Sequence, residues 1–319
     1  MSLRAAALTL LAAFVCFSSG GATADEGCGF RVVAVARLPD TRTPRLEFFD
    51  PTTSTFMVVQ GIPYDGELTA LQLGSRKFVR YKLAFNVVPI DVGHGFILLS
   101  DGVVLDEQLQ KTSVTDRAVA IASRGCALTV GRDGIAKETA YLPKTICAMK
   151  KFRWPGHFIP APESSGAWAV SADHRRVALI TDDGVQRVWT FVSQADTWPL
   201  RMNLGTIQSF RSRGREAVIG GIEAIGLLRE DSRTIVIHPQ SGLGVLDAAL
   251  LPDGRVLFGA TDAKGRGFLG VDSAERGSYV VVADWRRVDV ARFVNGPKGS
   301  VLVEGAAGTV YNVAPTCFK

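Results

Sequence analysis

The residues of this chain that could carry chemistry are few and far apart in the sequence. Its four histidines, at positions 94, 157, 174 and 238, form no HxH or HExxH pair, so no local metal site is expected. The sequence also lacks the GxSxG pattern that presents a nucleophilic serine. We therefore expect no cofactor and no local catalytic motif, and an active site would have to assemble from distant residues.

One glycine-rich string, Gly265 to Gly270 (GRGFLG), has the GxGxxG spacing of dinucleotide-binding loops. Such a loop needs a helix after it, because the helix N-terminus binds the pyrophosphate. Here the residues that follow the first two glycines, FLGVD, have the apolar pattern of a strand. We interpret the string as part of a β-hairpin.

Four cysteines lie outside the N-terminal apolar run, and an even number in an exported chain indicates disulfides. Four cysteines allow three pairings, and the sequence alone does not choose among them; we favour Cys28–Cys317 with Cys126–Cys147. The first pair would join the two ends of the chain and lock a closed ring. Four unpaired, buried thiols are the alternative. The sequence contains no CxxC, which argues against a zinc ribbon or a thioredoxin-like redox site.

The segment from Lys150 to Pro162 (KKFRWPGHFIPAP) combines cationic side chains, aromatic rings and prolines. Aromatic residues and arginine are enriched where proteins bind one another, and long loops are often functional. We predict that this segment binds a partner. The candidate residues are Lys150, Lys151, Phe152, Arg153, Trp154, His157 and Phe158. The alternative is an outer strand and its connection, with Trp154 and Phe158 packed in the core.

Short strands separated by tight turns must position all these residues. Six blocks repeat the order turn, apolar strand, second turn and strand, with Asp-Gly at 101–102, 133–134 and 183–184. Asp-Gly supplies the positive φ that tight hairpins need. The blocks recur about every 40 residues, the length of one four-stranded blade. We predict an all-β chain forming a single β-propeller of six or seven four-stranded blades. A pair of β-sandwiches or a β-solenoid is the alternative.

Two of these blocks resemble blades of known repeat proteins. SADHRRVALITDDGVQRVW (171–189) and LPDGRVLFGATD (251–262) are similar to blades of TolB-like, YVTN-type and WD40-like propellers. The Gly-His and Trp-Asp signature of WD40 repeats is missing. The resemblance implies the architecture, and it implies an interaction platform or, less often, an enzyme with a site in the central channel.

The first 24 residues read as a secretory signal peptide. Arg4 precedes an apolar run from Ala5 to Phe17, and Ala22-Thr23-Ala24 fits the small-residue cleavage pattern. We predict cleavage after Ala24 and a propeller domain over residues 25–319. A buried N-terminal helix is the alternative. No later segment reaches 18 uninterrupted apolar residues, so we expect a periplasmic or secreted protein that does not span the membrane.

The formal net charge of +5 is a mild excess spread along the chain, and nucleic-acid binding is not expected. We expect an exported, non-catalytic binding or scaffold propeller that recognises a protein or an envelope glycan. If basic groups such as Arg175-Arg176 converge on one face, they favour an acidic partner or an anionic envelope surface. The alternatives are a hydrolase or lyase acting on a saccharide or lactone at a dispersed channel site, and a structural subunit of an assembly.

Overall fold

The computed structural model describes most of the chain between Gly29 and Thr316. The described residues are 29–38, 45–50, 53–60, 66–73, 78–148, 151–161, 164, 167–181, 184–190, 209–221, 224–229, 235–237, 244–262, 264–272, 279–285, 292–305 and 308–316. The predicted signal peptide, Lys150, and the predicted pair of Cys28 and Cys317 lie outside the described residues.

The strands form seven sheets of four antiparallel strands each, which confirms the β-propeller and sets the number of blades at seven. From the innermost to the outermost strand, the blades are: blade 1, β2 (Arg45–Asp50), β3 (Thr55–Gln60), β4 (Glu67–Gln72) and β5 (Phe78–Lys82); blade 2, β6 (Pro89–Gly93), β7 (Phe96–Leu99), β8 (Val103–Asp106) and β9 (Lys111–Val114); blade 3, β10 (Ala118–Ser123), β11 (Cys126–Val130), β12 (Ile135–Ala140) and β13 (Phe152–Arg153); blade 4, β14 (Phe158–Pro160), β15 (Trp168–Ser171), β16 (Arg176–Thr181) and β17 (Gly184–Thr190); blade 5, β18 (Ser209–Arg213), β19 (Glu216–Gly220), β20 (Ile225–Leu228) and β21 (Ile235–Ile237); blade 6, β22 (Gly244–Leu250), β23 (Val256–Thr261), β24 (Gly267–Asp272) and β25 (Tyr279–Trp285); blade 7, β26 (Arg292–Asn295), β27 (Val301–Glu304), β28 (Thr309–Pro315) and β1 (Phe30–Arg37).

The Asp-Gly pairs form the turns that the sequence predicts. Gly102 and Gly134 have φ values of 83° and 74°, a region that glycine enters without steric cost. In both turns the preceding aspartate accepts a hydrogen bond from a backbone N–H two residues later, at 3.1 Å. Gly265 lies in another turn, and the strand β24 follows it. This confirms the hairpin interpretation of the GRGFLG string.

The ring is closed by the two ends of the described chain. β1 is the outermost strand of blade 7, and it runs antiparallel to β28 with Phe30 opposite Pro315. Beyond this pair, the Thr316 N–H donates to the Gly29 carbonyl at 2.8 Å. The first strand therefore completes the last blade, and opening the ring would require separating this strand pair.

The apolar core lies between neighbouring blades. Trp168 of blade 4 and Phe210 of blade 5 share one buried cluster, with ring centroids 5.8 Å apart. Leu257 of blade 6 and Phe293 of blade 7 share another. Because each sheet buries both faces against its neighbours, its strands are continuously apolar rather than alternating. The fully buried runs in β7 and β20 show this pattern.

Hydrogen bonds also connect the blades at every boundary of the ring. The bonded residues, in ring order, are Asp50 with Gly95, Asp91 with Ile121, Trp154 with Phe158, Trp168 with Gly214, Arg211 with Asp247, Asp247 with Phe293, and Glu304 with Leu46. Within the described ranges, no helix is long and apolar enough to cross a membrane. A 3-10 turn, η1 (Pro297–Gly299), lies between β26 and β27.

Candidate partner-binding site

The predicted binding segment connects the outer strand of blade 3 to the inner strand of blade 4. Phe152 and Arg153 form β13, opposite Ala136 and Ile135 of β12. Residues 154–157 form a turn, and Phe158 begins β14. The segment is thus an outer strand and its connection, so a partner could contact only the side chains that it leaves exposed.

Two aromatic residues of the segment belong to the core between blades 3 and 4. Phe152 and Trp154 are buried, and their ring centroids lie 6.1 Å apart. The Trp154 indole N–H donates to the Phe158 carbonyl at 2.9 Å, which fixes the turn between them. These two rings therefore position the turn and are themselves covered.

Backbone hydrogen bonds place this turn between two others. On one side, the Trp154 N–H donates to the Gly134 carbonyl, at 2.8 Å, in the turn of residues 131–134. On the other side, the Ala172 N–H donates to the His157 carbonyl, also at 2.8 Å, in the turn of residues 172–175. Three turns from two blades consequently lie side by side on one face of the propeller.

Four arginines lie in these turns or directly beside them, and we call them the arginine rim: Arg132, Arg153, Arg175 and Arg176. The first three are exposed. Arg176 is half-buried, and its guanidinium carbon lies 5.4 Å from the centre of the Phe158 ring. Within the described part of the chain, no ion pair engages Arg132, Arg153 or Arg175. The rim is a group of adjacent positive charges.

The two acidic residues in the same turns are used to hold the backbone. Asp173 accepts hydrogen bonds from the Ser171 hydroxyl and from the Arg175 N–H, the latter at 3.1 Å. These bonds, the first above all, lower the pKa of the Asp173 carboxyl, and the nearby arginines act in the same direction. Asp133 accepts the Ile135 N–H at 3.1 Å. The four arginines therefore outnumber the two carboxylates.

The structure separates the predicted binding residues into two groups. Lys151, Arg153 and His157 are exposed, and Phe158 is half-buried beside them. Phe152 and Trp154 are in the core, and Lys150 is not among the described residues. The prediction of a partner site on this segment thus continues as a proposal that rests on its cationic members.

Arg132 is not among the binding residues that the sequence predicted. It directly precedes Asp133-Gly134, in the turn that bonds to Trp154. A charged residue before an Asp-Gly pair is ordinary turn composition. Only the pairing of β12 with β13 shows that the turn containing Arg132 lies beside Arg153.

The opposite face of blade 3 contains the disulfide between Cys126 and Cys147, which confirms that predicted pair, with the Cα atoms 5.9 Å apart. The bond fixes the loop 141–148 to the start of β11. The Glu138 carboxylate lies within 4.8 Å of both sulfur atoms, and this is the one group of metal-ligand type found among the described residues. Because the two sulfurs are bonded to each other, they offer no thiolate to a metal.

The inner strands carry buried charged groups that connect blades. Asp91 accepts the Ile121 N–H at 2.7 Å, and Asp247 accepts the Phe293 N–H at 2.9 Å. Each carboxylate also accepts the N–H of the residue that follows it. Both aspartates follow an irregularity in their strand pairing. Arg211 pairs with Asp247, so these groups are engaged in holding the ring rather than presented to a substrate.

Comparison with known proteins supports the propeller fold but assigns the chain to no family. No family model matches this sequence, and no curated protein matches it. Three solved propellers are similar in structure. YCF48 bound to a D1 peptide has a TM-score of 0.53 at 10% identity, covering 92% of this chain and 99% of its own. BBS1N in complex with ARL6DN, soaked with lead, has a TM-score of 0.53 at 10% identity, covering 90% and 98%.

The third, Raptor from Chaetomium thermophilum, has a TM-score of 0.55 at 10% identity, covering 91% of this chain and 29% of its own. At such low identities these similarities show the fold alone. They agree with the seven four-stranded blades described above.

Proposed function

We propose that this protein is an exported, non-catalytic binding propeller that recognises an acidic segment of a protein partner through the arginine rim. The observation that carries the proposal is that Arg132, Arg153 and Arg175 lie in or directly beside three turns joined by backbone hydrogen bonds, without an ion-pair partner in the described ranges. Guanidinium groups bind carboxylates through two parallel hydrogen bonds, which gives both strength and orientation.

The rim is also held in place before any partner arrives. Hydrogen bonds from Trp154 and Ala172 fix the turns to one another, and Ser171 and Asp173 fix the last turn internally. A site whose backbone is already ordered loses less conformational entropy on binding. Affinity can therefore come from a small number of charged contacts.

Export rests on three observations from the chain. Residues 1–24 have the order of a secretory signal with cleavage after Ala24, which leaves residues 25–319 as the mature domain. The Cys126–Cys147 disulfide suits an oxidising compartment. The described residues include no membrane-spanning helix. The proposed location is the periplasm or the exterior of the cell.

Two structural neighbours solved with partners support a binding role by analogy. YCF48 was solved with a D1 peptide and BBS1N with ARL6DN. An anionic envelope glycan is the other partner class that could satisfy the rim. We favour a protein on the strength of this analogy.

The test is affinity purification of the tagged mature chain from its native envelope fraction, followed by mass spectrometry. The variant Arg153→Glu/Arg175→Glu reverses the charge of the rim. The matched control Lys82→Glu/Lys111→Glu makes the same change in charge at exposed positions of blades 1 and 2. We expect one protein to be recovered with the native chain and the control, and to be lost with the rim variant. Circular dichroism checks that all variants are folded.

Two outcomes would contradict the proposal. Recovery of the same partner by the rim variant would exclude the rim as the site. Recovery of glycan without any specific protein, removed by the rim variant, would keep the site but reject a protein partner. The complex should also weaken with added salt, because dissolved ions screen exposed charges. The screening length is about 10 Å at 0.1 M and shortens as salt is added.

A further inference from the structure

A groove runs along the outer part of blade 7, beside the strand pair that closes the ring. Its volume is about 590 Å³, and β1 and β28 line it. Sites for small ligands and short peptides generally occupy about 300–1,000 Å³. We call this space the closure groove and define it by Arg31 and Val33 of β1 and Asn312 and Ala314 of β28.

The strand register brings these four side chains onto one face of the sheet. Val33 is opposite Asn312, and Arg31 is opposite Ala314. Alternate residues of a strand share a face, so the four residues form a two-by-two patch. The intervening residue Val32 points the other way, into the core with blade 6. The patch is therefore directed away from blade 6.

The remaining direction is toward blade 1. Further along β1, Val35 and Ala36 pack against the same buried cluster as Leu71 and Leu73 of blade 1. Blades 7 and 1 meet at this end of β1. The closure groove lies beside the residues nearer the start of β1. The span from Arg31 to Val35 is about 13 Å, the length of about four extended residues.

Two chemical features of the groove are unsatisfied in the chain alone. The side-chain oxygen of Asn312 is buried and has no hydrogen-bond partner among the described residues. A buried acceptor without a donor is unfavourable and uncommon in folded proteins. Opposite it, the apolar side chain of Val33 is 36% exposed. Arg31 adds an exposed cation at one end.

We infer that the closure groove binds an extended peptide segment of a partner protein. The segment carries an acidic residue two positions from an apolar one, so that both side chains lie on the same side of the peptide. Because the Asn312 oxygen is buried in the free chain, the Asn312 amide turns on binding so that this oxygen accepts a backbone N–H of the peptide. An apolar side chain covers Val33 and Ala314, and a carboxylate two residues away on the same side of the peptide pairs with Arg31. The arginine rim belongs to blades 3 and 4, so this site stands or fails independently of the proposed function.

The test uses a phage-displayed library of random seven-residue peptides, selected on the immobilised mature chain. Enriched peptides are synthesised with a fluorescent label, and their affinities are measured by anisotropy. We expect sequences in which an acidic residue lies two positions from a large apolar residue. Val33→Asp and Arg31→Glu should each weaken binding by about tenfold or more, as truncation of a central contact does.

Three further variants make the result specific. Val188→Asp changes a valine that is 45% exposed on the outer strand of blade 4, and this variant should bind the peptides like the native chain. The rim variant Arg153→Glu/Arg175→Glu should also bind them unchanged. Asn312→Ala should weaken peptide binding by about tenfold without lowering the melting temperature, because its oxygen has no bond to lose.

The inference is overturned if no peptide is enriched, or if the enriched peptides bind Val33→Asp as tightly as the native chain. Peptides that are lost with the rim variant and kept by Val33→Asp would belong to the rim instead. A lower melting temperature for Asn312→Ala with unchanged peptide affinity would show that Asn312 is structural only, and would remove the proposed hydrogen bond.

Discussion

The Arg211 guanidinium lies 2.9 Å from a carboxylate oxygen of Asp247, and this ion pair joins the inner strands of blades 5 and 6. The same guanidinium donates to the Phe293 carbonyl of blade 7 at 2.6 Å. Asp247 in turn accepts the Phe293 N–H. Two side chains thus connect three consecutive blades, and both are largely removed from water.

Replacing Arg211 should therefore destabilise the ring. Arg211→Met keeps most of the side-chain volume but leaves the Asp247 carboxylate buried without its cation, which costs about 3–5 kcal/mol. The free energy of unfolding, measured with urea, checks this. Arg266→Met is the control, because Arg266 pairs with Asp262 while remaining 68% exposed, and its loss should cost less than about 1 kcal/mol. Equal effects of the two changes would contradict this account.

Gly270 should resist substitution for steric reasons. A Cβ atom at this position would lie 2.5 Å from the Phe258 ring, which is fully buried. We expect Gly270→Ala to destabilise the protein by about 1–3 kcal/mol through overpacking. Gly156→Ala is the matched control, because a Cβ there meets nothing within 4 Å. Thermal unfolding of both variants should show a lower melting temperature for the first alone.

The cysteines at the ends of the mature chain should form the second disulfide. Thr316 bonds to Gly29, and one further step in this register would set Cys28 opposite Cys317. Mass spectrometry of a non-reduced digest should recover these two cysteines in one linked peptide. Because the loop spans most of the chain, the bond would stabilise by about 5 kcal/mol in the chain-entropy model. Free thiols at both positions in the purified exported protein would refute the pairing.

The stability of the protein should depend on pH through Asp272. Burial raises the pKa of this carboxyl above its ordinary 3.8, although the hydrogen bond from the Val256 N–H acts in the opposite direction. A raised folded-state pKa means that the folded chain holds this proton more tightly than the unfolded chain. Its unfavourable contribution is therefore absent below about pH 3.8 and grows as the pH rises through the folded-state pKa.

Asp272→Asn keeps a hydrogen-bond acceptor but removes the buried charge. We expect its gain in unfolding free energy over the native chain to be larger at pH 7 than at pH 3. Urea unfolding at the two pH values measures this difference. The same change at Asp262, whose carboxyl has a lowered pKa because of hydrogen bonds from Arg266, should show no such gain at pH 7. A pH-independent effect of Asp272→Asn would contradict the burial argument.

The sequence predicted the hairpins well because their chemistry is local. Asp101-Gly102 and Asp133-Gly134 each require positive φ at the glycine, and the residues on both sides are apolar and β-branched. The phase of the repeat was harder to assign. The turn at Gly125 lies between the first and second strands of blade 3, whereas the turn at Arg175 lies between the second and third strands of blade 4. These two turns look alike in the sequence but are not equivalent, and they are therefore 50 residues apart rather than about 40.

The candidate site was only partly predictable for a similar reason. The mixture of aromatic and cationic residues between Lys151 and Phe158 identified the right segment of the surface. Strand pairing then decided which of them point outward: Phe152 and Trp154 fill the space between two blades, while Arg153 remains exposed. In an amphipathic segment, the sheet that packs against it determines which side chains are buried and which are exposed.

The unit of construction could be predicted from the sequence, because turn residues and apolar strands act over a few neighbouring residues. The residues predicted four-stranded repeats of about 40 residues and the signal-like order of residues 1–24. They allowed three pairings of the four cysteines, and the structure established Cys126–Cys147. Features that depend on partners distant in the chain needed the tertiary structure. Only ring closure assigns β1 to blade 7 and completes seven blades. The pairing of β12 with β13 sets the turn of Arg132 beside Arg153, and the packing of blade 3 on blade 4 adds the turn of Arg175, since no local rule relates residues that meet across strands or blades.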